Sequence, residues 1–126
     1  MIFGGSVRKQ ISKDIESELF KKQKGRCNYC GRKMSISYFH VDHKTPVSRD
    51  GEESIGNYQL LCAPCNGRKG DLTDGEFRRL YHLTPSRQAK APPSKVIPQS
   101  YFIKISKEIA AKKAKKRRTQ DSWSLF

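Results

Sequence analysis

Apolar residues in this chain come in short, well-separated groups, and the residues around each group indicate which element it forms. Ile15 and Leu19 recur at helical spacing on one face. Ser12 can cap that helix, Asp14 and Glu16 suit its first turn, Lys21, Lys22 and Lys24 its last, and Gly25 its end. The stretch from Ser35 to Asp42 alternates polar with β-branched and aromatic residues, which predicts a strand, and Asn57 to Cys62 predicts a second. Between them Arg49 to Gly56 is a polar loop with glycines, longer than a hairpin turn. Pro64 can open a short helix that runs through Lys69 and stops at Gly70. Thr73 and Glu76 have the spacing of a capping box, predicting a helix to about Leu83 with Phe77, Leu80 and Tyr81 on its apolar side. Past Leu83 the pattern changes. Pro85, Pro92, Pro93 and Pro98 punctuate an extended linker, and Tyr101 to Arg118 then predicts a helix with Phe102, Ile105 and Ile109 on one face. A helix of that size is marginal alone in water, so it docks on the core or orders on a partner.

Composition adds a constraint that the pattern alone does not give. With 126 residues one domain is the expectation, yet only 35% of them are apolar, against about 45–50% in ordinary domains. Part of the chain is therefore solvated or held by something other than hydrophobic burial. No apolar run reaches the roughly 18 residues that a membrane span needs. Met1 to Lys13 has no signal-peptide core, so a cytoplasmic protein with no membrane association is expected. Lys and Arg number 26 and Asp and Glu 12, a net +14. The excess is uneven: seven basic against three acidic residues in 1–26, eight against seven in 27–83, and eleven against two in 84–126. Three segments follow: 1–26, with a helix packing on the core; 27–83, a near-neutral chemical module; and 84–126, a Pro-containing linker, a basic helix and an apolar C-terminal peptide. Cationic flanks suit a polyanion, nucleic acid above all, and a solubilising tail is the plainer reading.

The near-neutral module contains all four cysteines. Cys27-x-x-Cys30 and Cys62-x-x-Cys65 can each place two thiolates on one knuckle, and two knuckles make the four-sulfur cage that Zn²⁺ prefers. Gly31 suits the turn after the first pair. Disulfides are the alternative, and a cytoplasmic setting disfavours them. One structural zinc would also account for folding at so modest an apolar content.

Between the cysteine pairs lie the residues that carry a resemblance. His40-Val-Asp-His-Lys-Thr-Pro46, then Asn57-Tyr-Gln-Leu-Leu-Cys62, then Cys65-Asn-Gly-Arg-Lys-Gly70 closely resemble the HNH endonuclease family over about residues 26–72. The resemblance implies an α+β fold: a small zinc-stabilised ββα-metal finger, here with flanking helices and a basic C-terminal arm. It implies metal-dependent hydrolysis of DNA phosphodiesters by a one-metal mechanism, with His43 as general base, a role for which imidazole is suited near neutral pH. Asp42 and Asn66 would hold one catalytic Mg²⁺ or Mn²⁺ through oxygen atoms. Asn57 would tie the loop that orients His43. Beside these roles stand plainer ones, in which Asp42 and His43 form a turn, and Asn57 and Asn66 are caps. His40 could support the ion from further out or be a satisfied structural histidine, and His82 is given no role.

DNA is the expected partner. Lys44, Arg68 and Lys69 adjoin the motif and are candidate phosphate contacts, as are Lys112, Lys113, Lys115, Lys116, Arg117 and Arg118. The last residues, with Gln120, Trp123, Leu125 and Phe126, look like the short peptides by which DNA enzymes dock on a sliding clamp, or they pack back on the chain. The family setting points to a bacterial cytoplasm, or a phage-encoded protein acting in one, and a homodimer stays open. The competing class is a non-catalytic zinc-ribbon module that binds DNA.

Overall fold

The computed structural model describes residues 12–85, 93 and 95–124, with side chains as far as Lys115 in its last helix. Residues 1–11, most of the Pro-containing linker, the side chains of Lys116, Arg117, Arg118, Gln120 and Trp123, and the whole of Leu125 and Phe126 lie outside that description. The chain divides into two compact units between Val96 and Ile97.

The first unit opens with helix α1, Lys13–Lys22, whose Ser12 hydroxyl accepts from the Ile15 amide as a cap should. Lys24 and Gly25 follow at φ 55° and 70°, and this left-handed pair turns the chain out of the helix. Strand β1, His40–His43, pairs antiparallel with β2, Tyr58–Leu61, and sets His40 opposite Leu61, Val41 opposite Leu60, Asp42 opposite Gln59 and His43 opposite Tyr58. Strand alternation then sends Val41 and Leu60 to one face and Asp42 and Gln59 to the other. On the first face Leu60 packs with Leu19 of α1 and with Tyr58, with Ile15, Phe39 and Val41 around them.

The expected strand from Ser35 to Asp42 is corrected. Only its end pairs, and Ile36–Tyr38 forms a 3₁₀ turn closed by Tyr38 N–H on the Ser35 carbonyl. The reason lies across the sheet: β2 ends at Leu61 and gives way to helix α2, Ala63–Lys69, so the pairing with β2 stops at His40. Alternation is a local signal, whereas a strand needs a neighbour to take its hydrogen bonds. The second strand is likewise shortened, because Ile55–Asn57 is a 3₁₀ turn. Helix α3, Asp74–Leu80, has both halves of the Thr73–Glu76 capping box and ends short of Leu83, with His82 left-handed at φ 56°. The second unit contains α4, Gln99–Ser124, longer at both ends than the expected helix. Along it Phe102 is buried, Ile105 and Ile109 are half-buried and Lys104, Lys107 and Glu108 are exposed. No helix among the described residues is long and apolar enough to cross a membrane.

The outer edge of β2 is closed by a side chain. The amide of Gln23, just past α1, donates to the Leu60 carbonyl at 2.9 Å and accepts from the Leu60 N–H at 2.8 Å, as a neighbouring strand would. Both groups are buried, and an unpaired buried donor costs about 1–3 kcal/mol. Gln23→Met keeps the bulk and removes the pairing, so it should lower the unfolding free energy by roughly 2 kcal/mol. Denaturant unfolding of the zinc-loaded protein checks this, and an unchanged midpoint at unchanged slope would contradict it.

Candidate active site and metal centre

The cysteines are placed by two different local structures. The first pair sits on a knuckle in which Cys27 N–H bonds to the Arg32 carbonyl, Gly31 N–H bonds to the Cys27 carbonyl, and Gly31 takes φ 78°, a conformation glycine adopts without strain. In the second pair, Cys62 leaves β2 and occupies the N-cap of α2, and Cys65 lies in that helix. The four are buried, unbridged, and have sulfurs all within 4.8 Å of one another. Cys30 and Cys62 sulfurs stand 3.7 Å apart. A tetrahedral site with metal–sulfur bonds of about 2.3 Å has sulfur–sulfur edges of about 3.8 Å, so the cluster fits a Zn²⁺ ion. Its electrostatics agree. Hydrogen bonds from Cys30 and then from the other thiols hold the Cys27 thiol far down, whereas its place beside Cys27 and then Cys30 pushes the Cys65 thiol far up. Without a cation the group shares its protons, and a divalent metal allows all four to ionise.

At the far end of the two strands lies an open cleft of ≈ 710 Å³, lined by Asp42, His43, Glu53 and Asn66 among others. Three of the four expected motif residues thus converge on one cavity, from the end of β1 and from α2. Asn57, the fourth, stands behind it. Its amide accepts from Thr45 N–H at 2.9 Å and donates to the Thr45 carbonyl at 3.0 Å and the Glu52 carbonyl at 2.8 Å. The loop after His43 is therefore tied by one side chain to the loop before β2. The same loop is pinned to α3, where Arg49 pairs with Glu76 and holds that carboxyl down to about 2.

Glu53 is a site residue that the sequence did not single out. Its Oε1 lies 2.7 Å from His43 Nε2 and its Oε2 accepts from the Tyr58 hydroxyl at 2.9 Å. The Tyr58 ring also packs edge-on against the imidazole at 5.2 Å. A carboxylate only accepts, so Nε2 is the donor in this pair. The only mark of Glu53 in the sequence is an acidic pair in a polar loop.

Lys69, expected as a phosphate contact, is placed differently. Its side chain is 0% exposed, with Nζ 3.1 Å from Asp42 Oδ2 and donating to the His43 carbonyl at 2.9 Å. Adjacency to the motif suggested an outward cation; the helix turns it inward, where burial would be costly without the Asp42 charge. Lys44 and Arg68 are half-buried, His40 is exposed at the strand end, and Lys112, Lys113 and Lys115 are exposed on α4.

Residues 27–72 match the family model for HNH endonuclease, and they include both strands and α2. Among curated proteins the chain is similar to the CRISPR-associated endonuclease Cas9 1 of Streptococcus thermophilus, 29% identical over 128 residues, which cover 94% of this chain and 10% of that protein. Among solved structures it is similar to the type II-C Cas9 enzyme from Actinomyces naeslundii, with a TM-score of 0.49 and 20% identity over 60% of this chain and 9% of that one. The chain spans about a tenth of the length of the relatives it matches.

The cysteine cluster carries its own prediction. Metal analysis of the purified protein should give one zinc per chain, and stripping it with a strong chelator should unfold residues 27–72, seen as loss of amide chemical-shift dispersion. A metal-free protein with an unchanged spectrum would rule out the structural role of the site.

Proposed function

We propose that this protein is a metal-dependent endonuclease that hydrolyses DNA phosphodiester bonds, with His43 as general base and one divalent ion on Asp42 and Asn66. The observation that carries the reading is the convergence of Asp42, His43 and Asn66 on one cleft in a domain of the HNH endonuclease family. The residues present fit a hard cation. Asp42 Oδ1 and the Asn66 amide have no partner among the described residues, and both residues line the cleft. Two oxygen donors suit Mg²⁺ or Mn²⁺, which keep waters and take phosphate oxygens from a substrate. Bound there, such an ion would neutralise charge on the scissile phosphate and on the departing 3′ oxygen.

The chain's own residues supply the rest. Glu53 accepts a hydrogen bond from Nε2–H of His43, which leaves Nδ1 as the nitrogen that takes a proton from the attacking water. Tyr58 holds Glu53 in place through its hydroxyl, and its phenol is pushed up by burial and then by Glu53, which keeps it a donor. Asn57 ties the backbone just after the base, at Thr45, to the loop that carries Glu53. Lys69 compensates the buried part of Asp42 and also grips the His43 carbonyl, so ligand and base share one anchor. DNA as substrate is supported by the net charge of +14 and by the exposed lysines 112, 113 and 115 of α4.

Incubation of supercoiled plasmid with the zinc-loaded protein and Mg²⁺ or Mn²⁺ tests the reading: nicked or linear product is expected. His43→Ala should lower the rate by at least about 100-fold while zinc content and DNA binding persist. No cutting by the natural sequence in either ion would favour a zinc-ribbon DNA binder, and unchanged cutting by His43→Ala would remove His43 from the chemistry.

A further inference from the structure

Asp42 enters the cleft with one of its two oxygens already engaged. Oδ2 accepts from Gln59 Nε2 at 2.9 Å and lies 3.1 Å from the Lys69 ammonium. Oδ1 has no partner among the described residues, and because every fully buried side-chain nitrogen or oxygen among them has one, Oδ1 is open to solvent. Gln59 is itself 1% exposed, a polar residue in the middle of a wholly buried strand. Its amide is held at both ends. Oε1 accepts from Asn28 Nδ2 at 2.6 Å, and Nε2 gives its second hydrogen to the Tyr29 hydroxyl at 2.9 Å. The Tyr29 hydroxyl donates in turn to Asp74 at 2.7 Å, and Arg78 pairs with that carboxylate at 3.1 Å. The Tyr29 ring is fixed as well, stacked on Phe77 at 4.2 Å.

Asn28 and Tyr29 are the two residues between Cys27 and Cys30. A continuous hydrogen-bonded path therefore runs from the middle of the first cysteine knuckle to the carboxylate at the cleft. The amide has only one orientation that satisfies it, since Asn28 offers an N–H and ionised Asp42 can only accept. We propose that Asn28, Tyr29 and Gln59 are positioning residues through which the zinc knuckle fixes the Asp42 carboxylate, presenting Oδ1 to the divalent ion. The proposal rests on the reading of Asp42 as an ion ligand.

The physical gain is preorganisation. The terminal torsion of an aspartate is broad and weakly restrained, so an unsupported carboxylate must be ordered when an ion binds. Lys69 restrains Asp42 too, but its positive charge opposes an incoming cation. The neutral Gln59 amide orients the same oxygen without that repulsion. Removing such a support typically weakens metal binding by about 10–100-fold.

The test uses Mn²⁺ as the probe and does not require cleavage. In the zinc-loaded, isotope-labelled full chain, Mn²⁺ should broaden the amide resonances of Asp42, His43 and Asn66. Gln59→Met removes the support, and Tyr29→Phe deletes one hydroxyl while keeping the stacked ring. In both variants half-broadening should need at least about tenfold more Mn²⁺, with zinc still bound at one per chain, and cutting should recover at high Mn²⁺. Half-broadening at the same Mn²⁺ in both zinc-loaded variants overturns the proposal and leaves Asp42 as a ligand. Loss of zinc from both variants also overturns it, since the path would then be packing for the knuckle. If Mn²⁺ leaves Asp42 untouched in the natural sequence, the ligand reading falls and the proposal with it.

Discussion

The four buried cysteine sulfurs are the constraint on which the rest of this domain depends. Cys27 and Cys30 belong to a knuckle, and Cys62 and Cys65 to the junction between β2 and α2, so the cluster joins segments far apart in sequence. Its geometry fits a tetrahedral Zn²⁺ ion, whose charge offsets the repulsion among four neighbouring thiolates. Joining these segments does more than fold the chain. It fixes the start of α2, which carries Asn66 and Lys69, and it sets Asn28 and Tyr29 against Gln59. The apolar side of the sheet is modest by comparison: Leu19, Tyr58 and Leu60 with a few half-buried neighbours. Metal ligation is expected to add to the stability that this apolar cluster and the packed rings of Tyr29, Phe77 and Tyr81 supply.

Polar groups in the interior are correspondingly well matched. Among the described residues every fully buried side-chain nitrogen or oxygen has a partner, although Gln23, Gln59, Lys69, Asp74 and Arg78 are all buried. Each has a distinct task. Gln23 replaces a missing strand, Asp74 and Arg78 anchor Tyr29, and Gln59 and Lys69 act on Asp42. Such networks specify one arrangement where a few apolar contacts would leave several, provided every member is satisfied. That specificity is what the proposed ion site on Asp42 and Asn66 would require, because an ion held by two protein oxygens would gain little from either if it moved.

The cysteine cluster was legible from the sequence, since a four-sulfur metal site imposes residue type and spacing together, and the convergence of Asp42, His43 and Asn66 on one cleft follows the order of the motif. The caps at Ser12 and Thr73 were legible for a similar reason, being contacts made within one turn. The strand from Ser35 was misread because pairing depends on a neighbour that ends at Leu61. Lys69 was misread because nearness to a motif in sequence does not say which way a helix turns a side chain. Glu53, Tyr29 and Gln59 were missed: their roles arise from partners 10, 45 and 17 residues away. Gln59 had left one trace, a polar residue where the strand around it is otherwise apolar.

Anomalous X-ray scattering from crystals grown with zinc and Mn²⁺, together with a DNA duplex whose scissile phosphate resists hydrolysis, tests the account most directly. A zinc peak is expected at the centre of the four cysteine sulfurs and a manganese peak at bonding distance from Asp42 Oδ1 and the Asn66 amide oxygen, against a phosphate of the DNA. A zinc peak with no manganese near Asp42, or DNA lying away from the cleft, would contradict it.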